Sequence, residues 1–257
     1  MSKLESGDVL IPVEHPPAAS AAASLGASVQ GMGGYVAAPS GVPRGSVLLI
    51  QEIFGVTPAM RAIANDFASE GYLVLVPDIY WRIERNVDLG NGEDQAQRDE
   101  AVRYSNSYDE TLGTDDLVAA VKWLQSASLA APSKPAVIGF CLGGRMAVRV
   151  AAMSNLSCMV SMYGVGIPKL AQEIRAIACA AQFHFGDNDN HNPPAVIEEV
   201  RSIVDSRRRN DDEFFVYPGA EHAFYNRYRL DRFNPEAHQL ARGRVLSFLK
   251  SHIGARV

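Results

Sequence analysis

The sequence predicts an α/β fold with a mostly parallel central sheet and helices on both faces. Three observations carry this expectation. Short runs rich in β-branched or aromatic residues recur along the chain, segments of helical spacing lie between them, and 47% of the 257 residues are hydrophobic, enough to bury a sizeable core. Strands buried on both faces and separated by helices form parallel sheets through right-handed βαβ crossovers. The apolar runs are Val47 to Ile53, Tyr72 to Val76, Pro135 to Phe140, Cys158 to Met162, Cys179 to Phe185 and Glu213 to Tyr217. Gly34 to Ala38 precedes the first helix-linked unit and reads as an antiparallel edge strand.

The helices follow in order. Thr57-Pro58 supplies an N-cap and a proline at the first helical position, and Gly71 marks where that helix stops. Leu117, Val118, Val121 and Leu124 share one helical face, as do Ile197, Val200 and Val204. A polar stretch from Glu84 to Ser107 is a candidate lid. Residues 1–29 read as an N-terminal tail with little order, and 30–257 as a single domain.

Composition narrows the function classes. Lys and Arg total 24 against 29 Asp and Glu, a net charge of −5, so no basic field exists to hold nucleic acid. Apolar stretches such as Val47-Leu48-Leu49-Ile50 and Leu73-Val74-Leu75-Val76 fall far short of the roughly 20 residues a membrane span needs. Acidic Glu5, Asp8 and Glu14 precede the Ala/Ser-rich stretch at 17–27, the wrong flank for a targeting signal. Cys141, Cys158 and Cys179 are odd in number and lack C-x-x-C spacing, which suggests neither a disulfide framework nor a zinc site. A cytoplasmic protein without a cofactor is expected.

The residues that carry chemistry begin with Gly139-Phe140-Cys141-Leu142-Gly143-Gly144, which closes a strand and opens a helix. A residue at so sharp a turn is strained and presents its side chain over the sheet edge, while flanking glycines let strand and helix approach. The exposed atom here is the thiol of Cys141, beside helix N–H groups that favour negative charge. Cys158 and Cys179, at the starts of core strands, read as packing residues. A nucleophile needs a base and an orienting acid. Downstream, Phe183-His184-Phe185-Gly186-Asp187-Asn188-Asp189 places carboxylates past one strand, and Tyr217-Pro218-Gly219-Ala220-Glu221-His222 places a histidine past the next. Nucleophile, acid, histidine is the chain order of the α/β-hydrolase fold, whose ligands sit at the carboxyl edge of the sheet.

Among six histidines, His15, His191, His238 and His252 read as solvated and His184 as a core residue, which leaves His222 as the base. Spacing does not choose between Asp187 and Asp189. A metal cluster of His184, Asp187, Asp189 and His191 is disfavoured by their alternating strand positions. Upstream, Glu52 lies so close to a core strand that it must be paired, protonated or solvated by a site. The N–H groups of Ile53 and Leu142 are candidate oxyanion donors.

These residues resemble the dienelactone hydrolase, or carboxymethylenebutenolidase, family. The likeness covers roughly residues 30 to 250 and rests on Gln51-Glu52-Ile53-Phe54-Gly55-Val56, Pro77-Asp78-Ile79-Tyr80, the Cys141 turn, Tyr163-Gly164-Val165-Gly166, and the strand ends bearing Asp189 and His222. The resemblance implies an α/β-hydrolase fold, with Cys141 as nucleophile, His222 as base and Asp189 as its acid. Glu52 is implied to help form the thiolate once substrate is bound. It further implies a cysteine-dependent opening of a carboxylated unsaturated lactone, 4-carboxymethylene-butenolide, to the keto dicarboxylic acid maleylacetate. Arg82, Arg227, Phe54 and Tyr163 are the implied substrate-binding residues. Arg227 is one place beyond the family's second arginine position, which Asn226 occupies here. A general small-ester or thioester hydrolase is the alternative, and a non-catalytic ligand-binding or redox-sensing protein of the same fold is another. The partner is a small-molecule lactone or ester, with no nucleic acid and no membrane, for a monomer or, in the alternative, a dimer.

Overall fold

In the computed structural model, which describes residues 5–13, 31–127 and 134–253, the chain divides into two compact units, residues 1–132 and 133–257. The first contains strands β1 (Gly7–Pro12), β2 (Gly31–Ala37), β3 (Gly45–Ile50) and β4 (Tyr72–Pro77), with helices α1 (Pro58–Ser69), α2 (Gln95–Ser107) and α3 (Glu110–Ala127). Its strands lie in the order β1-β2-β4-β3. β3 and β4 are parallel, with Val47 opposite Val74, and every residue in both is buried. That explains their unbroken hydrophobic sequence, since a strand covered on both faces has no solvated side for polar residues.

The crossover between them is α1. Thr57 caps it by accepting the Met60 N–H, Pro58 occupies its first turn, and Met60, Ile63, Ala64 and Phe67 form its buried stripe. The helix ends just before Gly71, as expected. β2 pairs antiparallel with β4, but it is an interior strand of this unit because β1 covers its other side, also antiparallel. Gly34 to Ala38 is therefore not an edge, and part of the expected tail is a strand. Of that tail, residues 1–4 and 14–29, including the Ala/Ser-rich stretch and His15, lie outside the described residues. The polar stretch from Glu84 condenses in its second half into α2, capped by the Asp94 side chain.

The second unit contains β5 (Ala136–Phe140), α4 (Leu142–Met153), β6 (Cys158–Met162), a 3₁₀ turn (Ile167–Leu170), α5 (Ala171–Ala176), β7 (Ala180–Gly186), α6 (Pro194–Asp205), β8 (Glu213–Tyr217) and α7 (Pro235–His252). Its four strands run parallel in chain order, β5-β6-β7-β8. Parallel register sends every carboxyl end to the same edge, so the loops after β5, β7 and β8 converge there. No helix among the described residues is long and apolar enough to cross a membrane.

Thr57 holds an otherwise orphaned N–H at a buried helix start, so Thr57→Ala should lower stability by about 1 kcal/mol. Equilibrium urea denaturation measures this, and an unchanged midpoint would contradict the capping role.

Candidate active site

Cys141 occupies the single residue between β5 and α4, at φ +55° and ψ −115°, a region that side chains with a Cβ rarely adopt. The turn is pinned on both sides. Its N–H donates to the Met162 carbonyl at 3.0 Å, and its own carbonyl accepts from the N–H groups of Gly144 at 3.0 Å and Arg145 at 3.3 Å. The glycines are steric requirements. A Cβ on Gly139 would stand 1.9 Å from the Gly143 oxygen, and one on Gly144 would stand 2.8 Å from the Gly164 Cα. The Cys141 side chain caps no helix N–H, and the group is half-buried. Leu142 is the first helical residue, a position whose N–H has no acceptor within its own helix.

His222 comes from the loop after β8. Its Nδ1 lies 2.8 Å from Asp189 Oδ2, and the ring is also hydrogen-bonded to Cys141. An imidazole has two nitrogens, so Nε2 is the one that faces the sulfur. Burial acts to drive the proton off His222. The electrostatic interaction with Cys141, with the bonds to Asp189 and Cys141, outweighs it and raises the imidazole from 6.5 to about 10. Asp189 is 2% exposed, and burial pushes its carboxyl up. Its bonds from His222, Asn192 and the His191 main chain prevail and hold it below the usual carboxylate range.

The aspartate choice left open by spacing resolves in the geometry. Asp187 accepts the Gly219 N–H at 2.6 Å and closes a turn, while Asp189 faces the imidazole. Tyr163, buried at φ +38°, sets its ring edge-on to His222 with centroids 5.1 Å apart. His184 is a core residue, as expected: Tyr217 Oη lies 2.7 Å from Nδ1, Gln182 Oε1 lies 2.8 Å from Nε2, and burial lowers it to about 3. Burial likewise pushes the thiol of Cys158 up to about 12 and that of Cys179 to about 11, in keeping with packing roles. His238 and His252 are half-buried rather than fully solvated, each bonding a main-chain carbonyl. His191 differs most from expectation. It is exposed, but its ring meets that of His222 at 4.5 Å between centroids.

Other expected site residues belong to the first unit. Glu52 is 5% exposed just past β3, Phe54 is buried beside it, and the Ile53 carbonyl accepts from Tyr80 Oη at 3.1 Å. Arg82 is committed to Asp116 through two donors, Nε to Oδ2 at 2.7 Å and Nη2 to Oδ1 at 2.8 Å; Trp81 Nε1 binds the same carboxylate at 2.8 Å. In the second unit Arg227 is exposed, with its guanidinium 5.8 Å from the Tyr228 ring centre, and Asn226 is buried. Among the described residues no group of three or more His, Cys, Asp and Glu side chains is placed to hold a metal ion.

Comparison with known proteins gives a consistent picture. The model of the dienelactone hydrolase family matches residues 32–253. Carboxymethylenebutenolidase 1 of Cupriavidus pinatubonensis is 32% identical over 219 residues, 84% of this chain and 90% of that protein. A carboxymethylenebutenolidase of Pseudomonas sp. is 35% identical over 209 residues, 80% and 85% of the two chains. Among solved structures, a putative dienelactone hydrolase from Klebsiella pneumoniae superposes with a TM-score of 0.76 at 24% identity, covering 95% of this chain and 98% of its own, which shows the α/β-hydrolase fold.

Gly139→Ala should abolish the Cys141 turn geometry, because main chain rather than a flexible side chain fills the space. The check is the rate of Cys141 alkylation by iodoacetamide in the folded variant. A rate equal to that of the unsubstituted protein would show that the turn does not need this glycine.

Proposed function

Because this chain belongs to the dienelactone hydrolase family, we propose that it opens a carboxylated unsaturated lactone of the 4-carboxymethylene-butenolide type to maleylacetate, through an acyl-thioester on Cys141. It is a hydrolase acting on ester bonds. The observation that carries the reading is a cysteine held at a left-handed turn and hydrogen-bonded to an imidazole whose other nitrogen binds a buried aspartate.

In the acylation step the Cys141 thiolate attacks the lactone carbonyl carbon. The new C–S bond forms, the ring C–O bond breaks, and its electron pair leaves as a delocalised enolate that needs little acid help to depart. The enolate takes a proton, for which imidazolium His222 is the donor, and becomes the ketone. His222 is then neutral. The thioester carries no charge, so the principal support for a proton on His222 has gone when a base is required. Neutral His222 takes a proton from water, hydroxide adds to the thioester, the C–S bond breaks, and thiolate and imidazolium are restored together. Asp189 holds Nδ1 throughout. The N–H groups of Leu142 and Ile53 are assigned to the tetrahedral oxyanion. Glu52 is assigned to help form the thiolate once substrate is bound, as the resemblance implies. Tyr163 and Phe54 are assigned to substrate contact.

A second reading, a general small-ester or thioester hydrolase, is favoured by the state of the arginines. Arg82 already grips Asp116 bidentately, and Asn226 stands where a second carboxylate-binding arginine is expected. Under the first reading, a substrate carboxylate draws on Arg82 and Arg227.

Brief mixing with a dienelactone, followed by peptide mass spectrometry, should place the added acyl mass on the Cys141 peptide. Cys141→Ala should lower kcat/KM by at least about 10³-fold, and Asp189→Asn by about 10² to 10⁴-fold. An adduct elsewhere, or full activity in Cys141→Ala, would overturn the nucleophile. A kcat/KM for p-nitrophenyl acetate above that for dienelactone selects the second reading.

A further inference from the structure

The sequence Asp189-Asn190-His191-Asn192 forms one turn that serves the acid in several ways. Asp189 Oδ1 accepts the main-chain N–H of His191 at 2.8 Å and that of Asn192 at 3.3 Å, and Oδ2 accepts Asn192 Nδ2 at 3.0 Å beside His222 Nδ1. The side chain of His191 takes no part in those bonds. It turns instead to His222, with centroids 4.5 Å apart and planes at 60°, an edge-to-face contact. His191 is exposed while His222 and Asp189 are buried, so its ring stands on the solvent side of the pair. Burial and the charge of His222, with Arg232 and Arg229, hold His191 below the ordinary histidine value against the pull of Asp189. Of those arginines, Arg232 is paired with Glu221 and Asp231, and Arg229 with Asp231.

The proposed reaction needs the imidazole fixed most at one particular moment. During acylation His222 is held at both nitrogens by charged partners, the thiolate and Asp189. Once the thioester forms, the thiolate contact is lost. The ring must then aim Nε2 at a water while anchored through its bond to Asp189, and the rings of Tyr163 and His191, each packed roughly perpendicular to it, help set its plane.

We propose that His191 is a positioning residue for thioester hydrolysis, its ring fixing the plane of the His222 imidazole after the thiolate has been consumed. This rests on the acyl-thioester reading above. It gives a specific task to a histidine that sequence alone assigns to solvent.

The test is pre-steady-state hydrolysis of p-nitrophenyl acetate, in which the p-nitrophenolate burst reports acylation and the later linear rate reports deacylation. His191→Ala should keep the burst rate and lower the linear rate about tenfold, with an unchanged thermal midpoint. His191→Phe, which keeps a ring edge without a titratable group, should restore most of the linear rate. Every substitution retains the main-chain bond to Asp189, so the difference reads the ring. Wild-type rates in both variants would overturn the proposal. So would an equal loss in both, or a fall in the burst rate matching that in the linear rate. If the unsubstituted protein forms no acyl-enzyme on Cys141 with any ester, the reading beneath the proposal fails and takes the proposal with it.

Discussion

One backbone constraint underlies the chemistry of the second unit: Cys141 has to sit at φ +55° so that the chain can pass from β5 into α4 within one residue. A left-handed cysteine is unfavourable by roughly 1 to 3 kcal/mol, and it persists because its surroundings over-determine it. Met162 of the neighbouring strand accepts its N–H, and α4 begins by bonding to its carbonyl. The glycine at 139 leaves room for the Gly143 carbonyl, and the glycine at 144 for Gly164. The strain delivers a thiol that points away from its own backbone toward a histidine supplied by another loop.

The parallel register of β5 to β8 makes that meeting possible. Strand ends that share one edge bring together Cys141, Asp189 and His222 although long stretches of chain separate them. Once together, they form a charge-coupled set rather than three independent groups. The proton affinity of His222 depends on what Cys141 carries, so in the proposed mechanism forming a neutral thioester would change the base in the direction the next step requires. Asp189 stays ionised despite burial because its bonds outweigh its lost hydration. It can therefore orient the ring in both states.

Much of this is legible in the sequence because the informative signals are local. The strand-turn-helix around Cys141, the turn before His222 and the Thr57-Pro58 cap each depend on a few adjacent residues. What sequence missed is non-local. β1 carries the short apolar run Val9-Leu10-Ile11, but it lies within a stretch whose composition reads as a tail, it has a single fully buried residue, Ile11, and it becomes a strand through pairing with β2. Asp187 and Asp189 have equivalent spacing, and the structure separates them through the Gly219 N–H that Asp187 accepts and the His222 imidazole that Asp189 faces. Asp116 lies on the buried face of α3 one residue before Leu117, where a carboxylate reads as a break in the apolar stripe. Its partners, Trp81 and Arg82, are more than thirty residues away. His191 looks solvated in a polar loop, since its contact with His222 depends on where another strand ends.

The most direct measurement is the titration of the His222 imidazole by ¹⁵N NMR, in the unsubstituted protein and in Cys141→Ala. Charge coupling between sulfur and ring requires the imidazolium to persist to about pH 10, and its midpoint to fall once the sulfur is removed. A midpoint already near 6.5 in the unsubstituted protein, and unmoved by Cys141→Ala, would contradict the coupling on which the proposed chemistry depends.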